Sequence, residues 1–214
     1  MYHWVMRKRN LIILALVFLS FLLAFYIYPR MPDTIATHWG IYGEPDGYSP
    51  KLVGLFLMPL LSVFMFILFL VIPKIDPLKK NVTAFRKHFD RFIVVIFGFL
   101  FYLYLLTLFW NLGYKFNMIQ FLVPAFGLLF YMTSDLLGKA KRNWFIGIRT
   151  PWTLTSDIVW EKTHKLGMKL FRLAGVISFA GVIFPNYAVY FILAPILFFT
   201  AYLFAYSYYE YRKI

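Results

Sequence analysis

The residues best suited to chemistry lie in one stretch, Asn143-Trp-Phe-Ile-Gly-Ile-Arg-Thr-Pro-Trp-Thr-Leu-Thr-Ser-Asp-Ile-Val-Trp-Glu-Lys-Thr-His-Lys-Leu-Gly167. Arg149, set among Trp144, Phe145 and Trp152, can clamp a carboxylate or phosphate with its forked donors, or fix the loop through a hydrogen bond. Pro151 stops any helix before it, and Ser156 followed by Asp157 is a good helix start, with an acid in the first turn. From there Trp160, His164, Gly167 and Phe171 recur at i, i+4, i+7 and i+11, so an interfacial helix would turn Trp160 and His164 toward a helical bundle. Asp157, Glu161 and His164 share a neighbouring face. Glu-x-x-His also occurs in helical carboxylate metal sites, but those use a second copy, and Glu161 with Lys165 is an ordinary surface pair. Arg149, Asp157, Glu161 and His164 are therefore the polar site the chain would use were it a membrane enzyme.

A second polar group lies in residues 31–51, where Asp33, His38, Glu44 and Asp46 offer oxygen and nitrogen ligands. No two of them have the i, i+4 spacing of a helical metal site. The expectation is that the carboxylates cap turns while His38 and Trp39 pack at a membrane surface. Gly40, Gly43, Pro45, Gly47 and Pro50 impose turns, which makes the loop compact. No phosphate-binding Gly-x-x-x-x-Gly-Lys loop, His-Glu-x-x-His, Gly-x-Ser-x-Gly elbow or dinucleotide fingerprint occurs. No catalytic residue, metal or cofactor is expected on this reading.

The elements that must hold these groups are membrane spans. Of 214 residues 62% are hydrophobic and 14% charged, against roughly 45–50% and about 25% in soluble domains. Apolar runs long enough to cross a bilayer cover residues 11–29, 52–73, 92–114 and 116–134. A fifth, 173–209, is too long for one crossing and is broken at Pro185-Asn186, which gives six helices, the fifth starting before Leu173 with Lys169 and Arg172 reaching to the interface. The Arg7-Lys8-Arg9 cluster before the first run resembles a secretory signal. The run is too long for one, however, and Tyr28-Pro29-Arg30 offers no cleavage site, so an uncleaved first span is expected. The spans hold few ionisable groups, with Asp135 at the end of the fourth and Asn111 and Gln120 elsewhere, which disfavours a transporter relaying ions through buried acids. Between the second and third spans, Phe85, Phe89 and Phe92 at i, i+4 and i+7 predict a short amphipathic helix over 82–91, with Arg86 and Asp90 paired.

Lys plus Arg exceed Asp plus Glu by 22 to 9, a net +13. Divided by the six spans, the two termini and the loops 74–91 and 135–172 hold 19 basic and 6 acidic residues, and the remaining loops hold 3 of each. Basic residues stay cytoplasmic, so both termini are expected inside and residues 30–51 outside, in a multi-pass protein of the plasma membrane. The charge excess then reports sidedness and gives no support to nucleic-acid binding. Trp110 and the cluster Tyr206, Tyr208, Tyr209 and Tyr211 fit as interfacial anchors. With no cysteine, disulfides and thiolate sites are excluded.

The run from Asn143 through Gly147, Arg149, Thr150, Pro151, Trp152 and Thr153 to Trp160, Thr163, His164 and Gly167 closely resembles the signature of the SdpI family of bacterial and archaeal membrane proteins. Pro32, His38, Gly43, Pro45 and Asp46 resemble the DUF1648 module that precedes it in many members, and Asp76-Pro77 and Asn81 also fit. The resemblance implies a first module over 1–73, a middle segment with the third and fourth spans over 74–137, and an SdpI-like module over 138–214. It further implies immunity to a secreted antimicrobial peptide and possible capture of a cytoplasmic transcriptional repressor. In this all-α membrane protein the outer loop and bundle are expected to engage the peptide, with the inner Arg149–Trp152 segment and the helix after Ser156 as the effector surface. The alternatives from other classes are the membrane enzyme above and a small peptide transporter.

Overall fold

The computed structural model describes residues 2–214, with side chains described from Lys8 onward; the side chain of Arg7 in the basic cluster lies outside them. Most of the chain is helical, as its composition requires. The long helices are α1 (Tyr2–Ile27), α2 (Lys51–Ile75), α4 (Arg86–Asn111), α5 (Met118–Lys139), α7 (Asp157–Ile183) and α8 (Ala188–Tyr211). Six segments are long and apolar enough to cross a membrane, with a 3-10 turn extending the first to Arg30 and another opening the last at Pro185. At 1.5 Å per residue they reach roughly 33–40 Å, more than the ~30 Å of a hydrocarbon core. Phe18, Phe25, Leu57, Phe64 and Phe198 are each more than half exposed. Such apolar helix faces find a matching solvent in lipid, not in water.

Two short helices complete the set, α3 (Lys79–Ala84) and α6 (Pro151–Thr155). The amphipathic helix expected over 82–91 is interrupted at Phe85, whose φ of −113° and ψ of 18° end α3. The Phe85 carbonyl then accepts from the His88 and Phe89 N–H groups and starts α4. The buried stripe runs Phe85, Phe89, Ile93 and Phe97, so Ile93 takes the place expected for Phe92. Arg86 Nε donates to Asp90 Oδ1 at 2.9 Å, the pair its spacing predicts. The interfacial helix expected after Ser156 is not a separate element. It continues without a break to Ile183, because no proline interrupts residues 157–183.

The chain divides into two compact units, Met1–Leu68 with Ile93–Leu122, and Phe69–Phe92 with Val123–Ile214. In the first, residues 31–50 form a two-stranded antiparallel hairpin, β1 (Thr34–Trp39) and β2 (Pro45–Pro50), where the sequence predicts only a compact loop. Ile35 and Ala36 are fully buried, and Ile35 joins Ala24, Ile27, Met31, Leu55, Tyr104 and Leu108 in one core. Tyr104 Oη donates to the Leu55 carbonyl at 3.0 Å, which satisfies the one polar atom its ring buries.

In the second unit α7 and α8 form an antiparallel pair around Pro185–Tyr187. A Cβ on Gly181 would lie 3.1 Å from the Ala188 backbone near that turn, while Lys162 Nζ meets Glu210 Oε2 at 2.6 Å at the far end. α5 runs antiparallel to α7 at backbone contact: a Cβ on Gly175 would stand 2.8 Å from the Gly127 carbonyl oxygen. Small residues permit this approach where no hydrophobic force draws helices together.

Candidate functional site

The Asn143–Gly167 segment is built almost wholly from hydrogen bonds that close on themselves. Asn143, fully buried, accepts the N–H groups of Phe145 and Ile146 at 3.0 and 2.7 Å and donates to the carbonyls of Lys141 and Ile146 at 2.8 and 2.9 Å. An amide has four such positions, and all are used. Asp76, just past α2, accepts the Trp144 N–H at 2.9 Å with one oxygen and the Leu78 N–H at 2.6 Å with the other. Asn81 donates to the Arg142 carbonyl at 2.8 Å. The segment is thus tied to the connection that precedes α4.

Its second half is held by hydroxyls. Thr150 is the N-cap of α6, its Oγ1 accepting the Thr153 N–H at 3.2 Å while Thr153 Oγ1 accepts the Thr150 N–H at 2.9 Å. This is a reciprocal capping box with threonine in place of the usual acid, and Pro151 occupies the first helical position. Thr150 Oγ1 also lies 3.0 Å from Ser207 Oγ, and Trp152 packs on the rings of Phe204 and Tyr208 at 5.1 and 5.0 Å. Ser156 then caps α7 through the Val159 N–H at 3.4 Å.

His164 is buried, and both its ring nitrogens face backbone. Nδ1 lies 2.8 Å from the Trp160 carbonyl, and Nε2 accepts the Ile148 N–H at 3.0 Å. A nitrogen facing a carbonyl must carry the proton and one accepting an N–H must lack it, so the ring is the neutral Nδ1–H tautomer. It stacks on Trp160 at 4.0 Å, and Trp160 Nε1 donates to the Ala140 carbonyl at 2.9 Å. Gly147 has φ of +115°, and a Cβ there would collide with His164 Nε2. Gly167 lets Ile148 approach, since a Cβ would meet Ile148 Cδ1 at 2.5 Å. Thr163 is fully buried, and its Oγ1 has no hydrogen-bond partner among the described residues.

Of the four residues of the possible polar site, Asp157, Glu161 and His164 line one cavity, which Arg149 does not join, and each of the three is already engaged. Asp157 pairs with Arg142 at 2.7 Å, and Glu161 with Lys165 at 2.9 Å, as its spacing predicts. His164 has no free lone pair. Arg149 Nη1 donates to the Trp144 carbonyl at 2.7 Å, the loop-fixing bond, and the side chain is otherwise exposed. Among the described residues no three His, Asp or Glu side chains gather closely enough to hold a metal.

The hairpin carries the other group of residues. His38 Nδ1 lies 2.5 Å from Asp46 Oδ1, and Asp33 pairs with Lys51 at 2.9 Å. Pro45 sits opposite Trp39 where β2 begins, while Pro32 precedes β1 and is exposed. Gly43 is buried with φ of +79°, a conformation glycine adopts freely. Asparagines that appear in the sequence only as scattered polar residues clamp this hairpin. Asn111 accepts the Ala36 N–H at 2.8 Å and donates to the Ala36 carbonyl at 2.9 Å. Asn117 donates to the Tyr42 carbonyl at 2.7 Å, and the Met118 N–H reaches the Gly43 carbonyl at 3.2 Å. Trp39 packs edge-on against Trp110 at 6.0 Å, and Lys115 Nζ sits 3.2 Å over the Trp110 ring.

Six apolar helices with a braced loop of backbone-directed side chains define a multi-pass membrane protein. Residues 15–63 match the family described as a domain of unknown function, DUF1648, and residues 139–207 match the SdpI/YfhL protein family. The chain is similar to Immunity protein SdpI of Bacillus subtilis (strain 168), with 26% identity over 170 residues that make up 79% of each chain. These matches support an SdpI-family protein, with a DUF1648-like module ahead of the SdpI-like one. No solved structure matches it significantly.

Proposed function

We propose that the chain is an immunity protein that protects the membrane carrying it against a secreted antimicrobial peptide. The observation carrying this reading is the 170-residue similarity to Immunity protein SdpI, which covers 79% of each chain. The geometry agrees with a protein that recognises rather than catalyses. His164, the one imidazole of the possible polar site, spends both nitrogens on backbone, and the carboxylates beside it are neutralised by their own cations. In this proposal both termini are cytoplasmic, the hairpin meets the extracellular peptide, and the surface around Arg149 and Trp152 is the effector side. That inner surface would be where a cytoplasmic repressor docks, if the protein signals as well as protects.

The test is survival. A sensitive host expressing the chain is challenged with culture supernatants containing candidate peptides, and protection is expected with at least one. Arg149→Ala and Trp152→Ala should lose it at unchanged membrane levels. Full protection in both variants rejects the assignment of the inner surface, and protection by the intact chain against none of the supernatants rejects the immunity reading.

A further inference from the structure

A polar cavity of the second unit lies beside the braced segment, and its basic residues have no role in the proposal above. It has a volume of about 450 Å³, in the range of small-molecule sites, and includes Asn81, Lys139, Lys141, Arg142, Trp160 and Lys165 in its lining. Asp157 and Glu161 line it too, but each is already engaged, Asp157 by Arg142 and Glu161 by Lys165. Lys139 and Lys141 make no ion pair among the described residues, although Lys141 is near enough to Glu161 to feel its charge. The cavity therefore keeps two uncompensated ammonium groups, an amide beside them, and a wall formed by the buried Trp160 ring.

Its place along the helices fixes what can reach it. Lys139 is the last residue of α5, and Asp157, Glu161 and Lys165 belong to the first turns of α7. α7 spans roughly 40 Å, about 10 Å more than the hydrocarbon core, and its charges are confined to residues 157–172. These turns therefore stand at the level of the headgroups, where phosphate is the abundant anion.

We propose that this cavity binds a phosphate group, supplied by the headgroup of an anionic phospholipid, between Lys139 and Lys141. The Arg142–Asp157 and Lys165–Glu161 pairs occupy the two carboxylates of the lining, and the two lysines outside those pairs supply the attraction. This site is independent of the immunity reading, because it needs no peptide and no partner protein.

The experiment uses the full-length chain, purified and studied by native mass spectrometry with phosphatidylglycerol, with phosphatidylcholine, and with inorganic phosphate alone. Bound phosphatidylglycerol should survive where phosphatidylcholine is stripped. The double substitution Lys139→Ala/Lys141→Ala should weaken its retention roughly tenfold to thirtyfold, as two basic groups near an anionic surface each contribute about a factor of five. Lys74→Ala/Lys87→Ala removes the same charge outside the cavity and should change retention little. Binding of inorganic phosphate that competes with the lipid would support the phosphate site with a free anion as its source. Equal retention of the two lipids, or equal loss in the two double variants, would overturn the proposal, and thermal unfolding of each variant identifies any loss that comes from misfolding.

Discussion

At the residue scale, Gly147 and His164 act as one unit. Gly147→Ala forces a side chain into φ of +115°, at about 1–3 kcal/mol of strain, and drives its Cβ into His164 Nε2. His164→Ala leaves the Ile148 N–H without its partner, at a cost of about 1–3 kcal/mol, and removes the ring's added bond to the Trp160 carbonyl. Both single variants should unfold at lower temperature than the intact protein in detergent. Because the collision in Gly147→Ala is with the ring that His164→Ala removes, the double variant should lose less than the sum of the two. Strict additivity in the melting curves would contradict the direct contact. Asn143 and Asp76 belong with this pair, since their oxygens and amide group are consumed by backbone, and such residues specify a loop's shape without themselves forming its outer surface.

At the scale of elements, the hairpin of residues 31–50 has its own anchors. Asn111→Ala removes both bonds to Ala36, and Asn117→Ala removes the bond to Tyr42. Each should raise hydrogen exchange across 34–50 by tenfold or more, the equivalent of roughly 1.4 kcal/mol of local stability, while exchange in α7 and α8 stays unchanged. Here the sequence was only partly legible. Glycine and proline spacing in 31–51 marks turns, but β1 reads Thr-Ile-Ala-Thr-His-Trp without strict alternation and β2 is bounded by prolines, so the strand pairing has little local signal. Asn111 and Asn117 are visible as polar residues near the ends of long apolar runs, yet their partners lie 75 residues away, beyond the reach of any periodicity. The six spans were far more legible, because lipid demands long uncharged runs and tolerates few alternatives. The continuity of α7 was hidden by its charged first turns, which look like a separate surface helix although nothing breaks the backbone. In the Asn143–Gly167 segment the face carrying Trp160 and His164 was readable from spacing, whereas the closure of His164 on Ile148 depends on Gly147 turning the chain back and cannot be read from helical spacing.

At the scale of the whole molecule, the charge distribution makes a topological prediction that a cysteine-free chain is well suited to test. Single cysteines at Tyr42 and at Lys80, both exposed, should differ in intact cells: a membrane-impermeant maleimide should label the first and reach the second only after lysis. The reverse pattern would invert the sidedness assigned to the peptide-facing and effector surfaces. Movement within the membrane is constrained by a different feature, the backbone contact between α5 and α7. Gly127 and Gly175 face one another, Gly138 meets Met168, and Gly181 meets Val123, so three matched points fix the register of the two helices. Sliding one helix by a turn would bring bulkier side chains against carbonyls that now see only hydrogen. The close contacts at these glycines therefore oppose any ratcheting of one helix along the other.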